Sequence, residues 1–194
     1  MIHIGISAGH GGTNRGTSGG GLYEPDLTLD VACKSAAMAS WSSVYRPVLI
    51  RQGDMHLTHA ERAGIAKRAW CKAVVEIHFN FSSDPTMDGG QLFYRRDDKA
   101  GRALGVEIMS RTGRDYGTWA SDFRYKGDIA FPGVLAITEA YADKGISCAL
   151  VELAFLSCAG DIQWLKRPGA IDKLALAIYS GCEAWARGEG GDGV

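Results

Sequence analysis

The chain has no apolar stretch approaching the roughly 20 residues of a helical membrane span, which argues against stable insertion into a bilayer. It has little net charge: 21 basic and 22 acidic side chains leave a formal −1. That balance gives no general electrostatic reason to bind nucleic acid or an anionic membrane. Cysteine is sparse and poorly spaced for crosslinking. Cys33, Cys71, Cys148, Cys158 and Cys182 are odd in number, scattered and without C-x-x-C spacing, so neither a disulfide framework nor a thiolate zinc site is expected. They read instead as reduced thiols packed as small hydrophobes. There is no internal repeat and no attached binding module. Strand-like residues begin at position 2 and leave no room for a signal peptide, so the expectation is a monomer made in the cytoplasm.

What is present suffices for one core. A length of 194 residues, with 46% hydrophobic and 22% charged side chains, suits a single globular unit. The expected division is a domain over residues 1–187 followed by a flexible glycine-rich tail over 188–194. Ile2 to Ile6 is a short β-rich run, and the glycines from Gly9 onward stop it, which delivers His10 to the end of a strand. Pro25 then opens a helix carrying Leu27, Val31, Cys33 and Met38, with Glu24 at its entrance. Val44 to Ile50 is a second strand, Leu57 to Trp70 a helix and Ala73 to Phe79 a third strand.

This alternation predicts an α/β three-layer sandwich, a mostly parallel mixed sheet flanked by helices. Gln91 to Arg95 reads as a further strand and Lys99 to Thr112 as a helix ended by Gly113. Gly113 to Gly133, with Trp119, Phe123, Tyr125 and Phe131, reads as a long loop over the strand ends, where its aromatics could stack on a ligand or pack on the body. Val134 to Ile137 and Ile146 to Leu153 are strand candidates, and Pro168 opens a final helix with a core stripe through Ile171, Leu174, Ile178 and Trp185.

Four chemically capable residues fall at strand ends or adjoining turns: His10, Glu24, His78 and Glu152. In an open α/β sheet, ligands gather beyond the carboxyl ends of the strands. Two imidazoles and a carboxylate are a usual set for catalytic zinc, and a further carboxylate can take a proton from water, so the pattern points to metal-assisted hydrolysis. Bland readings stay open at this level. His78 can be a satisfied core histidine, Glu24 a carboxylate favoured by the helix dipole, and Glu152 half of an ion pair. His56 and His59 are close in sequence and compete as ligands; His3, inside a strand, reads as structural.

The chain resembles the zinc-dependent N-acetylmuramoyl-L-alanine amidases of family 3, the bacterial autolysin and phage endolysin type. Gly9-His10-Gly11-Gly12 with Gly16 is similar to the first zinc motif, Glu24-Pro25-Asp26-Leu27-Thr28-Leu29 to the second and Ile77-His78-Phe79-Asn80 to the third. Leu150 to Ser157 is similar to the catalytic segment, and Arg51, Asp54, Leu57, Arg62 and Ala66 match the intervening pattern. The resemblance implies Zn2+ on His10, Glu24 and His78, Glu152 as the catalytic carboxylate, and hydrolysis of the amide between N-acetylmuramic acid and L-alanine in peptidoglycan. Asn80 is a candidate substrate-binding residue. Together with the missing leader, the resemblance leans toward an endolysin acting on the wall after release.

Departures from the family pattern are Ser7 and Asn14 in place of frequent aspartates, Lys67 for asparagine, Glu76 for serine and Cys158 for asparagine. Glu76, two residues before His78, shares its strand face and could orient a zinc histidine or pair with a basic residue. The competing functions are a zinc peptidase acting within the stem peptide and a non-catalytic wall-binding protein of the same fold.

Overall fold

The strands predicted at Ile2, Val44, Ala73, Gln91 and Ile146 pair within a six-stranded sheet of order β4-β1-β5-β8-β6-β7. The computed structural model describes residues 1–114, 125–131 and 136–189. Its elements are β1 (Ile2–Ala8), β2 (Ser18–Gly19), β3 (Leu22–Tyr23), α1 (Glu24–Ala39), β4 (Tyr45–Leu49), α2 (His59–Arg68), β5 (Cys71–Asn80) and β6 (Gly90–Arg95). There follow α3 (Lys99–Arg114), β7 (Tyr125–Phe131), α4 (Ala136–Ala142), β8 (Ser147–Phe155), α5 (Ala159–Leu165) and α6 (Ala170–Glu189). β4, β1, β5 and β8 are mutually parallel; β6 runs antiparallel to β8 and parallel to β7. The expected mostly parallel mixed sheet is the one observed.

Alternation along the strands builds two cores. Ile4, Ile6, Val75, Ile77 and Val151 face one side, where Val31 of α1, Leu104 and Ile108 of α3, and Leu174, Ile178 and Trp185 of α6 pack on them. Val74, Cys148 and Leu150 face the other, against Ala63 and Ala66 of α2 and Ile137 and Tyr141 of α4. Three layers result. Each fully buried Ile or Leu contributes about 1.5–3 kcal/mol. All five cysteines are free thiols, and Cys71, Cys148 and Cys182 are buried, as expected of structural cysteines. Among the described residues no helix is long and apolar enough to cross a membrane.

The structure corrects the reading between the third and last parallel strands. Residues 125–131, expected within a long loop, form edge strand β7, which takes its order from pairing with β6. A stretch containing Gly127 and Asp128 carries little local strand signal, so the long-range partner decides. Gly113 and Arg114, expected to begin the loop, complete α3, and residues 115–124 and 132–133, with Trp119 and Phe123, lie outside the described residues. Ala136 and Ile137, read as the end of a strand, begin α4 instead, where Ile137 and Tyr141 are buried together at i, i+4 spacing. The hairpin of β2 and β3 and the short α5 were not anticipated. The last helix begins at Ala170, just past Pro168, and runs through Glu189; residues 190–194 lie outside the described set.

Candidate active site

The register of the sheet explains why distant residues meet. In β5 and β8, His78 stands opposite Glu152 and Glu76 opposite Leu150, and Ser7 of β1 pairs with Glu76. Opposed residues on neighbouring strands point to one face, so His78 and Glu152 emerge side by side with Glu76 one row behind. Beyond His78 the register slips: the next pair is Asn80 with Phe155, so the ladder breaks where the site begins. Such irregularities redirect strand ends beside sites.

His10 follows β1 in a left-handed conformation, φ 57°, which L-residues adopt at a cost of about 1–2 kcal/mol. Reciprocal backbone hydrogen bonds between Gly11 and Asn14 close the turn. Gly16, at φ 55°, lies against Glu24 and the His10 ring so closely that a Cβ there would stand 2.5 Å from Glu24 Oε2. Arg51, fully buried, braces the same loop: Nε donates to Ala8 O, and Nη2 donates to the carbonyls of Gly9 and Pro25 and to Thr28 Oγ1.

Glu24 enters from α1 on the opposite side of the sheet. Its Oε2 accepts from Thr17 N at 2.8 Å and its Oε1 from Phe79 N at 3.0 Å, which fixes the carboxylate. Oε1 also lies 3.2 Å from His10 Nε2 and 3.0 Å from His78 Nδ1. The donor atoms of His10, Glu24 and His78 fall within 4.8 Å of one another. Ligands about 2.0–2.1 Å from a tetrahedral zinc stand roughly 3.3 Å apart, so two nitrogens and an oxygen at these separations fit a metal ion. His10 Nδ1 stands 2.9 Å from Asn14 Oδ1, a contact that orients the ring with Nε2 toward Glu24. This part of Asn14 was missed from the sequence, where it stood only as a departure.

The electrostatics separate the carboxylates. Burial alone would raise Glu24, but its contacts with His10 and His78 outweigh it and hold the carboxyl at about 2. Burial pushes Glu152 up to about 7, with the Glu24 charge adding to the rise and both histidines opposing it. Glu152 Oε2 is buried without a hydrogen-bond partner among the described residues. Burial disfavours protonated His78, yet its contact with Glu24 and the charges of Glu152, Glu24 and Glu76 prevail and raise it. One carboxylate is therefore fixed as an anion and the other poised near neutrality, a division suited to ligand and proton carrier.

A cavity of about 500 Å³ opens over this group, with His10, His78, Glu76, Glu152, Arg62 and His59 in its wall. His56 lines it too, but among the described residues only His10, Glu24 and His78 bring donor atoms together as a metal would need. His3 Nδ1 instead meets Ala69 O, in keeping with a structural role. Asn80 stands apart from the cavity: its amide donates to Gln91 Oε1 at 2.8 Å and its oxygen accepts from Phe81 N. Arg51 and Arg62 stood in the sequence only as matches to the family pattern; their bonds to the carbonyls of the His10 loop appear in the structure. A charged residue beside Ala63 on the buried stripe of α2 was the available signal.

Fold and site together define an α/β protein with a His-Glu-His metal-type donor set at the carboxyl ends of its parallel strands, beside a buried acid. The chain belongs to the N-acetylmuramoyl-L-alanine amidase family, whose model matches residues 4–184. It is 28% identical over 186 residues to N-acetylmuramoyl-L-alanine amidase LytC of Bacillus subtilis, covering 94% of this chain and 35% of that protein. It is 26% identical over 156 residues to the probable amidase AmiB of Haemophilus influenzae, covering 79% of this chain and 33% of AmiB. The chain thus spans about a third of the length of these relatives. The solved structure of amidase AmiC2 of Nostoc punctiforme superposes with a TM-score of 0.84 at 23% identity, over 96% of this chain and 97% of that one, and so shares the fold.

Proposed function

We propose that this chain is a peptidoglycan hydrolase that cleaves the amide between the lactyl group of N-acetylmuramic acid and L-alanine, with zinc held by His10, Glu24 and His78. The observation that carries the reading is the convergence of those three donors beside the unpaired Glu152, in a chain of the amidase family. When bound, the ion would supply Lewis acidity, polarising a carbonyl and lowering the pKa of water. Glu152 takes a proton from the attacking water as its oxygen joins the carbonyl carbon, then gives that proton to the amine nitrogen as the C–N bond breaks. A carboxyl near neutrality suits both halves of this transfer. Asn14 orients the His10 ring so that Nε2 faces the site, and the main-chain N–H groups of Thr17 and Phe79 hold Glu24 in place.

Digestion of purified peptidoglycan by the zinc-loaded chain tests the reading. The expected product is new L-alanine amino termini. New reducing sugar ends, or amino termini from within the stem peptide, would overturn it, and absence of any cleavage would favour a wall-binding protein. The place of action belongs to the same proposal, as an endolysin reaching the wall after release. Lysis of a Gram-negative host that requires a separate membrane-permeabilising agent supports it; lysis without one counts against it.

A further inference from the structure

Arg62 is a buried charge that the proposed reaction leaves unused. It lies on the inward face of α2, 4% exposed, and its whole fork is engaged. Nη1 donates to Ala8 O at 2.7 Å and Ser7 Oγ at 2.9 Å, Nη2 to His10 O at 2.8 Å and Nε to Leu57 O at 3.3 Å. Nη1 also stands 3.8 Å from Glu76 Oε2. That same oxygen is 3.9 Å from His78 Nε2, while Glu76 Oε1 accepts from the Tyr141 hydroxyl. One guanidinium thus grips the main chain of His10 and faces the carboxylate that faces His78.

We propose that Arg62 is a positioning residue that couples the two histidines and sets where their lone pairs converge. The inference rests on the metal-binding role proposed for His10, Glu24 and His78. Two physical consequences support it. His10 is held in a strained backbone conformation, and a charge-assisted hydrogen bond on its carbonyl opposes relaxation of that strain. Glu76, kept in place by Arg62 and Tyr141, stands with Oε2 3.9 Å from His78 Nε2 and buttresses the ring on the side away from Glu24. Only arginine can do both, because its planar fork spans the two directions, whereas lysine offers a single ammonium.

The test compares Arg62→Lys and Glu76→Gln with the parent chain and with His10→Ala. Zinc affinity is measured by competition with a chromophoric chelator, the visible spectrum of the cobalt-substituted protein reports ligand geometry, and circular dichroism reports the fold. Arg62→Lys is expected to fold, to bind zinc about 10- to 100-fold more weakly and to shift the cobalt bands. Glu76→Gln is expected to weaken zinc in the same direction. Zinc affinity within about threefold of the parent and an unchanged cobalt spectrum, with only the melting temperature lowered, would overturn the inference and leave Arg62 a structural residue. If Arg62→Lys fails to fold, Glu76→Gln and Tyr141→Phe decide: weaker zinc supports the coupling, unaltered affinity and spectrum reject it. A parent chain that binds no zinc rejects the metal reading and this inference together. A parent that binds and a His10→Ala that does not leave the Arg62 result to be judged alone.

Discussion

Glu24 and Glu152 share one site with carboxyls held at about 2 and about 7, and each has its own consequence. Glu152→Gln keeps the shape but cannot carry a proton, so it should retain zinc and the fold while activity falls by about 10²–10⁴; amide cleavage assayed beside metal content checks this. His10→Ala and His78→Ala should lose the metal itself. In the metal-free protein the titrations also govern stability. Glu152 is raised from about 4.5 to about 7, so its contribution is full below 4.5 and disappears as pH rises through 7. Glu24 is lowered, so its contribution is present above 4.5 and fades as pH falls toward 2. Melting curves of the chelator-treated parent and Glu152→Gln should therefore diverge from pH 5 to pH 8, with the variant the more stable at the upper end. Parallel curves across that range would contradict the burial of Glu152.

At the level of elements, α2 and the loop after β1 hold the site open. α2 begins with a reciprocal cap in which Thr58 N donates to Glu61 Oε2 at 2.7 Å and Thr58 Oγ1 accepts from Glu61 N at 3.2 Å. Removing it by Thr58→Ala should cost about 1 kcal/mol in urea unfolding. Arg51 is a heavier element-level tie, because it joins β1, the His10 loop and the first turn of α1 through four hydrogen bonds. Arg51→Met removes those bonds while Ala8 O keeps Arg62 Nη1 and Gly9 O keeps Thr28 Oγ1, so a loss of about 1–3 kcal/mol is expected from the same experiment. A loss below about 1 kcal/mol would mean that water or a rearranged loop replaces the guanidinium.

Over the whole molecule, the two cores and the donor set are linked through folding. An ion that binds only the native state stabilises it by RT ln(1 + [L]/Kd), about 4 kcal/mol at a thousandfold excess over Kd. Adding zinc to the chelator-treated chain should raise its melting temperature, and the increment should vanish in His78→Ala. The larger core sets the baseline: Ile178→Ala, deep in α6, should cost about 2–5 kcal/mol while leaving zinc affinity of the folded protein unchanged.

By itself the sequence determined the αβ alternation from Ile2 to Phe79, the final helix and the four residues at strand ends, because apolar periodicity and glycine punctuation are local signals. It also placed Glu152 in an apolar strand, where a lone carboxylate is costly wherever that strand packs. Only the tertiary structure decided that residues 125–131 make a strand, since an edge strand with Gly127 and Asp128 gains its order from β6 rather than from its own residues. It alone showed Arg62, Glu76 and Tyr141 meeting beneath His10 and His78, with Arg62 bonded to His10 O 52 residues away and Tyr141 to Glu76 65 residues away. Hydrogen bonds and charge pairs of that range depend on strand register and helix placement, which no window of sequence contains.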